Sequence, residues 1–170
     1  MRARDGSATT PAAGDVAGAL AAPDISQMSP EERAQRLFDR VMRLAEEGKN
    51  DSVQFFLPMA IGAYQQLPAL SLDAHFDMGL LQLAGGDAPA ALAEADAIER
   101  QAPTHLFASV LRARALQAQN DARGARQAYL QFLKNEATER ARRPEYQAHS
   151  RILDTFHSEA LSRTGGPPGS

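Results

Sequence analysis

Four histidines and a scatter of carboxylates are the side chains of this 170-residue sequence that could carry acid–base or metal chemistry. Asp73, His75 and Asp77 come closest to a ligand set. On a helix, a spacing of i, i+2 and i+4 puts the two acids on one face and the imidazole nearly opposite, so the three cannot converge on one ion. His75 therefore reads as packed between helices. His149 and His157 fall on one side of a later helical stretch but about two turns apart, too far to chelate one metal from that helix. His105 follows a proline turn and reads as a solvated cap residue. The pairs Glu31-Glu32 and Glu46-Glu47 sit at helix ends, where the helix dipole or plain solvation accounts for them. There is no Walker loop, no G-x-S-x-G and no H-E-x-x-H, and Gly85-Gly86 lacks the flanking strand of a phosphate loop. The expectation is a protein without catalytic residues, metal or cofactor, and not an enzyme.

Bulk properties narrow the partners. A formal net charge of −3 gives no concentrated attraction for nucleic acid or an anionic membrane, so neither nucleic-acid binding nor direct membrane insertion is expected. The basic run Arg123, Arg126, Lys134, Arg140, Arg142 and Arg143 is interrupted by Glu136 and Glu139 and has no interleaved aromatics; it reads as a solvated face, with an acidic partner surface as the alternative. The absence of cysteine excludes disulfides, thiolate metal sites and a cysteine nucleophile. No window approaches the roughly 18 apolar residues of a membrane span, and the N-terminal stretch makes a poor signal peptide. A soluble cytoplasmic protein is expected, or an extracytoplasmic one if the chain is a fragment of a membrane-anchored protein.

The elements that must position any site are helical. Alanine and leucine dominate, Trp is absent, and no stretch of β-branched residues alternates in period two, so the fold class is all-α. Residues 1–28 read as a disordered leader, rich in Ala, Gly, Pro, Ser and Thr. Ser29-Pro30-Glu31-Glu32 supplies an N-cap, a proline at the first helical position and acid in the first turn. From there the pattern gives helical hairpins over about 30–67, 71–102 and 104–137, then a capping helix over 144–163 and a flexible tail over 164–170: about seven helices in one domain of residues 29–163. Gly48, Gly85-Gly86 and Asn120-Asp121 mark the hairpin turns, and Thr104 reads as the cap of the fifth helix. Leu72, Ala74, Ala84, Asp87 and Ala91 recur thirty-four residues later as Leu106, Ala108, Ala118, Asp121 and Ala125. Such a period is the mark of a solenoid whose hairpins bury their apolar faces against their neighbours.

These residues resemble the tetratricopeptide repeat. In the hairpin that begins at Leu72, the family's mid-helix small residue falls on Gly79, its turn glycine on Gly86, its second small residue on Ala91 and its closing proline on Pro103, with Ala95 and Ile98 at the large positions of the second helix. In the hairpin that begins at Leu106 the corresponding residues are Ala113, Leu116, Ala125, Tyr129 and Phe132. His75 and Ser109 stand where the family has a large aromatic, and Pro58 disturbs the first hairpin, a degenerate repeat over about 34–67. The resemblance implies a short right-handed helical-hairpin solenoid in which small residues sit at close helix crossings.

It also implies a concave groove lined by the first helix of each hairpin. The residues there are Gln35, Phe38, Met42 and Ala45, then Asp73, Phe76, Leu80 and Leu83, then Phe107, Val110, Arg114 and Gln117. That strip is unusually apolar. Either it is buried against the chain's own terminal helix and against itself, or it is an exposed strip that marks a protein-binding site. The implied function is a protein-interaction or assembly scaffold that holds a partner peptide or helix in the groove through Phe38, Met42, Phe76, Leu80, Leu83, Phe107 and Val110, with Asp73, Arg114 and Gln117 setting polarity. The alternative is a structural accessory subunit or self-associating spacer of a larger, possibly membrane-associated complex, held through the outer helix faces or the ends.

Overall fold

A computed structural model of the protein describes residues 28–165. The leader expected over 1–28 and the tail expected over 164–170 lie outside the described residues, except for Met28, Thr164 and Gly165. The described chain is all-α, with no strand: α1 (Pro30–Glu46), α2 (Asn50–Gln65), α3 (Leu72–Ala84), α4 (Ala88–Gln101), α5 (Leu106–Ala118), α6 (Ala122–Arg142), a 3-10 turn (Pro144–Gln147) and α7 (Ser150–Thr164). Each helix packs against the next in sequence, and α3 also meets α1 and α5, which gives a helical-repeat architecture of three hairpins and a terminal helix.

Local chemistry sets the helix starts. The Ser29 hydroxyl accepts from the Glu32 amide at 3.1 Å, while the Glu32 carboxylate accepts from the Ser29 amide at 2.8 Å, a reciprocal box that satisfies two free donors. Ser71, Asp87 and Asp121 likewise accept from the amides of Ala74, Ala90 and Gly124. The hairpin turns place Gly48, Gly86 and Asn120 at φ of 69°, 81° and 62°, the left-handed region that glycine and asparagine enter at least cost.

Packing uses the small residues at crossings. A Cβ built on Gly79 would stand 2.5 Å from a δ-carbon of Leu111, so α3 and α5 approach where one helix has no side chain. Ala91 and Ala113 are fully buried and Ala125 is 2% exposed. Two large apolar cores result, beside a small cluster of Ala88, Ala91 and Ala115. One joins hairpin 1 to Ala74, Met78 and Leu81 of α3. The other runs from Phe76 and Leu80 through α5 and α6 to Tyr146, Leu153, Phe156 and Ala160.

Three expectations need correction. α6 runs to Arg142 rather than stopping near Ala137, because Arg140 pairs with Glu136 and Arg143 with Glu139 one turn earlier, so the charged run continues the helix. His105, not Thr104, precedes α5; the Thr104 hydroxyl instead donates to Glu139 at 2.6 Å. Pro144 opens a short 3-10 turn before the final helix, which extends through Thr164. Among the described residues no helix is long and apolar enough to cross a membrane.

Candidate functional site

The concave faces of α1, α3 and α5, read from the sequence as either buried or exposed, are occupied unequally. Phe76 and Phe107 stack with ring centroids 4.1 Å apart, and the His149 ring meets both edge-on. Tyr146 packs edge-on against Phe107. Phe76, Phe107 and Val110 have no exposed surface and Leu80 has 3%. These four are therefore part of the core, and an exposed apolar strip does not exist at them. Leu83 is partly buried against the same residues.

Polar contacts hold α7 in place. His149 Nε2 lies 2.9 Å from Asp73 Oδ1. At the other end, Glu159 accepts from the Tyr129 hydroxyl at 2.5 Å and from the Gln117 amide at 3.5 Å, and Phe156 stacks on Tyr129. Two of the expected groove residues, Asp73 and Gln117, thus bind the terminal segment. Displacing α7 would strip Leu153, Phe156 and Ala160 from the core, each fully buried. At roughly 1.5–3 kcal/mol for each large apolar side chain, α7 is structural rather than a removable plug.

A cleft of about 530 Å³ lies open between α1 and α7. Phe38 and Met42 of α1, Leu80 of α3 and Ile152 of α7 give it apolar walls; Asp39, Arg43, Glu46, Arg114 and Arg151 supply its charge. Arg151 reaches Glu46 at 3.5 Å, and both side chains are largely exposed, so the pair contributes little. Gln35 donates to Asp39 and Ala45 packs into the hairpin 1 core, and neither lines the cleft. Of the residues expected to bind a partner, Phe38, Met42 and Arg114 meet at this cleft, with the buried Leu80 behind them.

The histidines and acids are dispersed. Asp73, His75 and Asp77 turn to three different partners, His149, Glu94 and Tyr64. His157 Nδ1 lies 2.6 Å from Glu136. His105 corrects its reading as solvated: it is 1% exposed, wedged against Phe107 and Tyr146, and burial pushes its imidazole down to about 4. Among the described residues no group of three or more His, Asp or Glu side chains is placed to hold a metal ion.

Two buried acids escaped the sequence reading. Burial alone would raise the Glu139 carboxyl, but hydrogen bonds from Thr104, Tyr146 and Arg143 outweigh it and leave the group below the usual carboxylate range. The Tyr146 hydroxyl also accepts from the Leu106 amide at 3.0 Å, tying the start of α5 to the end of α6. Asp77 is equally buried, yet burial pushes its carboxyl up to about 7. The spacing of Glu136 to Arg140 and of Glu139 to Arg143 was a usable signal for the first; nothing local announced the second.

Compared with protein-family models, curated proteins and solved structures, the chain matches none.

Proposed function

We propose that the protein is an interaction or assembly module that docks a partner peptide or helix at the α1–α7 cleft. One observation carries this reading: on the inner face Phe38 and Met42 stand half-buried over a charged rim, while Phe76, Phe107 and Val110 beside them are fully buried. The resemblance of the hairpins to tetratricopeptide repeats supports it, since that family uses this face to hold partners. A half-buried guanidinium at Arg114 and the apolar walls suit a partner that inserts apolar side chains beside a polar anchor. No catalytic role is proposed for any residue.

The test is affinity purification from the native organism with the whole chain as bait, wild type against Met42→Lys with Arg114→Glu. A partner held by the wild type and lost by the variant, with unchanged helical melting, is the expected result. Retention of every co-purifying protein by a folded variant overturns the cleft.

A second reading, the self-associating spacer, is favoured by the outward face of α2. Among the described residues Phe55, 69% exposed, and Met59, 43% exposed, are the exposed large hydrophobics, and they flank Pro58. Light scattering separates the two readings. A stable homo-oligomer that dissociates on Phe55→Ser with Met59→Ser supports the spacer, and a monomer supports the cleft.

A further inference from the structure

Asp77 sits where hairpin 1 meets the rest of the array. It lies in the middle of α3, 3% exposed, and its Oδ2 accepts from the Tyr64 hydroxyl of α2 at 2.8 Å. The helix α3 belongs to both cores: Ala74, Met78 and Leu81 face hairpin 1, while Phe76 and Leu80 face the other way. The charged groups around Asp77 do not favour its ionised form. From α1 comes Asp39 and from α3 itself Asp73, both acids whose charge opposes another. The Asp73 carboxylate is shared with His149, which precedes α7. On α4, Glu94 turns to His75, and on α5 Arg112 turns to Asp96 and Glu99. Among the described residues no lysine, arginine or histidine pairs with Asp77. Glu139 is the contrast within the same molecule: buried to the same degree, it is served by three donors, one of them a guanidinium. A buried carboxyl with one neutral hydrogen bond and no cation favours its protonated form.

We infer that Asp77 is a proton-operated latch: its neutral carboxyl seats α2 on α3, and loss of the proton to solvent loosens the joint between hairpin 1 and the rest of the chain. The two walls of the cleft lie on opposite sides of that joint, Phe38 and Met42 on one, Leu80 and Ile152 on the other. The direction follows from linkage. In the unfolded chain the carboxyl titrates in the ordinary range, whereas in the folded chain burial holds it up to about 7. Between those values the folded state keeps a proton that the unfolded state has released. The latch therefore contributes fully below the ordinary range and its contribution is lost as pH rises to about 7, with no further change above. His105 acts in the opposite sense: held down to about 4, it withdraws stability as pH falls through the ordinary imidazole range.

Because of that opposition, the measurement compares the whole chain with Asp77→Asn rather than reading one curve. Urea unfolding is followed across acidic to mildly alkaline pH. The ratio of the wild-type to the variant unfolding constant is expected to grow by up to ~10-fold per pH unit between about pH 5 and 7 and then level off. Parallel curves overturn the latch. Hydrogen exchange, corrected for the intrinsic rate, is expected to quicken in α1 and α2 relative to α5 and α6 on going from pH 6 to pH 8 in the wild type alone; a uniform change overturns it. If Asp77→Asn folds poorly, the carboxyl carbon resonance of Asp77 in the wild type decides. A midpoint near neutrality, moved higher by Tyr64→Phe because the remaining donor to the carboxylate is lost, supports the latch, and a midpoint in the ordinary carboxylate range overturns it.

Discussion

The inner face of hairpin 3 is covered by α7 and that of hairpin 2 by Phe107 and His149, whereas hairpin 1 meets α7 across a cleft. Equivalent positions in the repeat have therefore met different ends. Phe38, Phe76 and Val110 occupy the same place in successive hairpins, yet Phe76 and Val110 have no exposed surface while Phe38 is half-buried. Met42, Leu80 and Arg114 form a second such series, and only Leu80 is fully in the core. The difference shows that the apolar character of a periodic position does not say whether it is a surface. That is decided by what the neighbouring hairpin and the terminal segment place on it: Phe107 and His149 cover Phe76, whereas Arg151, Ile152 and Thr155 stand across an open cleft from Phe38.

The comparison can be broken by substitution. The largest effect is expected for Phe76→Lys with Leu80→Lys, which places two ammonium groups in the sealed core: a loss of about 4 kcal/mol or more, read as absence of a cooperative melt by circular dichroism. A folded, cooperative double variant would mean that this face is not part of the core. Phe156→Ala should cost about 3–5 kcal/mol in urea unfolding, since the ring is fully buried between Tyr129 and Phe132. Ala91→Leu or Ala125→Leu should overpack a helix crossing by about 1–3 kcal/mol, and unchanged thermal melting in both would count against the crossings as drawn. On the open side, Met42→Lys should change stability by no more than about 1 kcal/mol, because its head group can reach solvent from a half-buried site. A cost as large as that of Phe156→Ala would erase the distinction between the two regions.

Much of the architecture was legible because its signals are local. Ser29 with Glu32, Asp87, Asp121 and the turn residues Gly48, Gly86 and Asn120 act within a few residues of themselves, so their roles survive without knowledge of the fold. The extent of α6 was not read, because a dense charge run suggests an end unless its i, i+4 pairing is counted. The candidate site was legible only as a face. Phe38, Met42 and Arg114 share the repeat positions of Phe76, Leu80 and Val110, and nothing in their own spacing separates the group at the cleft from the group in the core.

By itself the sequence determined the order of the helices, the caps of α1, α4 and α6, the hairpin turns and the placement of small residues at crossings, because each depends on backbone hydrogen bonding and side-chain periodicity over short distances. Only the tertiary structure decided that α7 folds over hairpin 3 and His149 over Phe76 and Phe107, that His105 and Asp77 are buried, and that the inner face stays accessible beside α1. Those outcomes depend on contacts between residues far apart in the chain, such as Asp73 with His149 and Gln117 with Glu159. Burial, and with it the charge state of a carboxyl or imidazole, is a property of what the rest of the chain places around it.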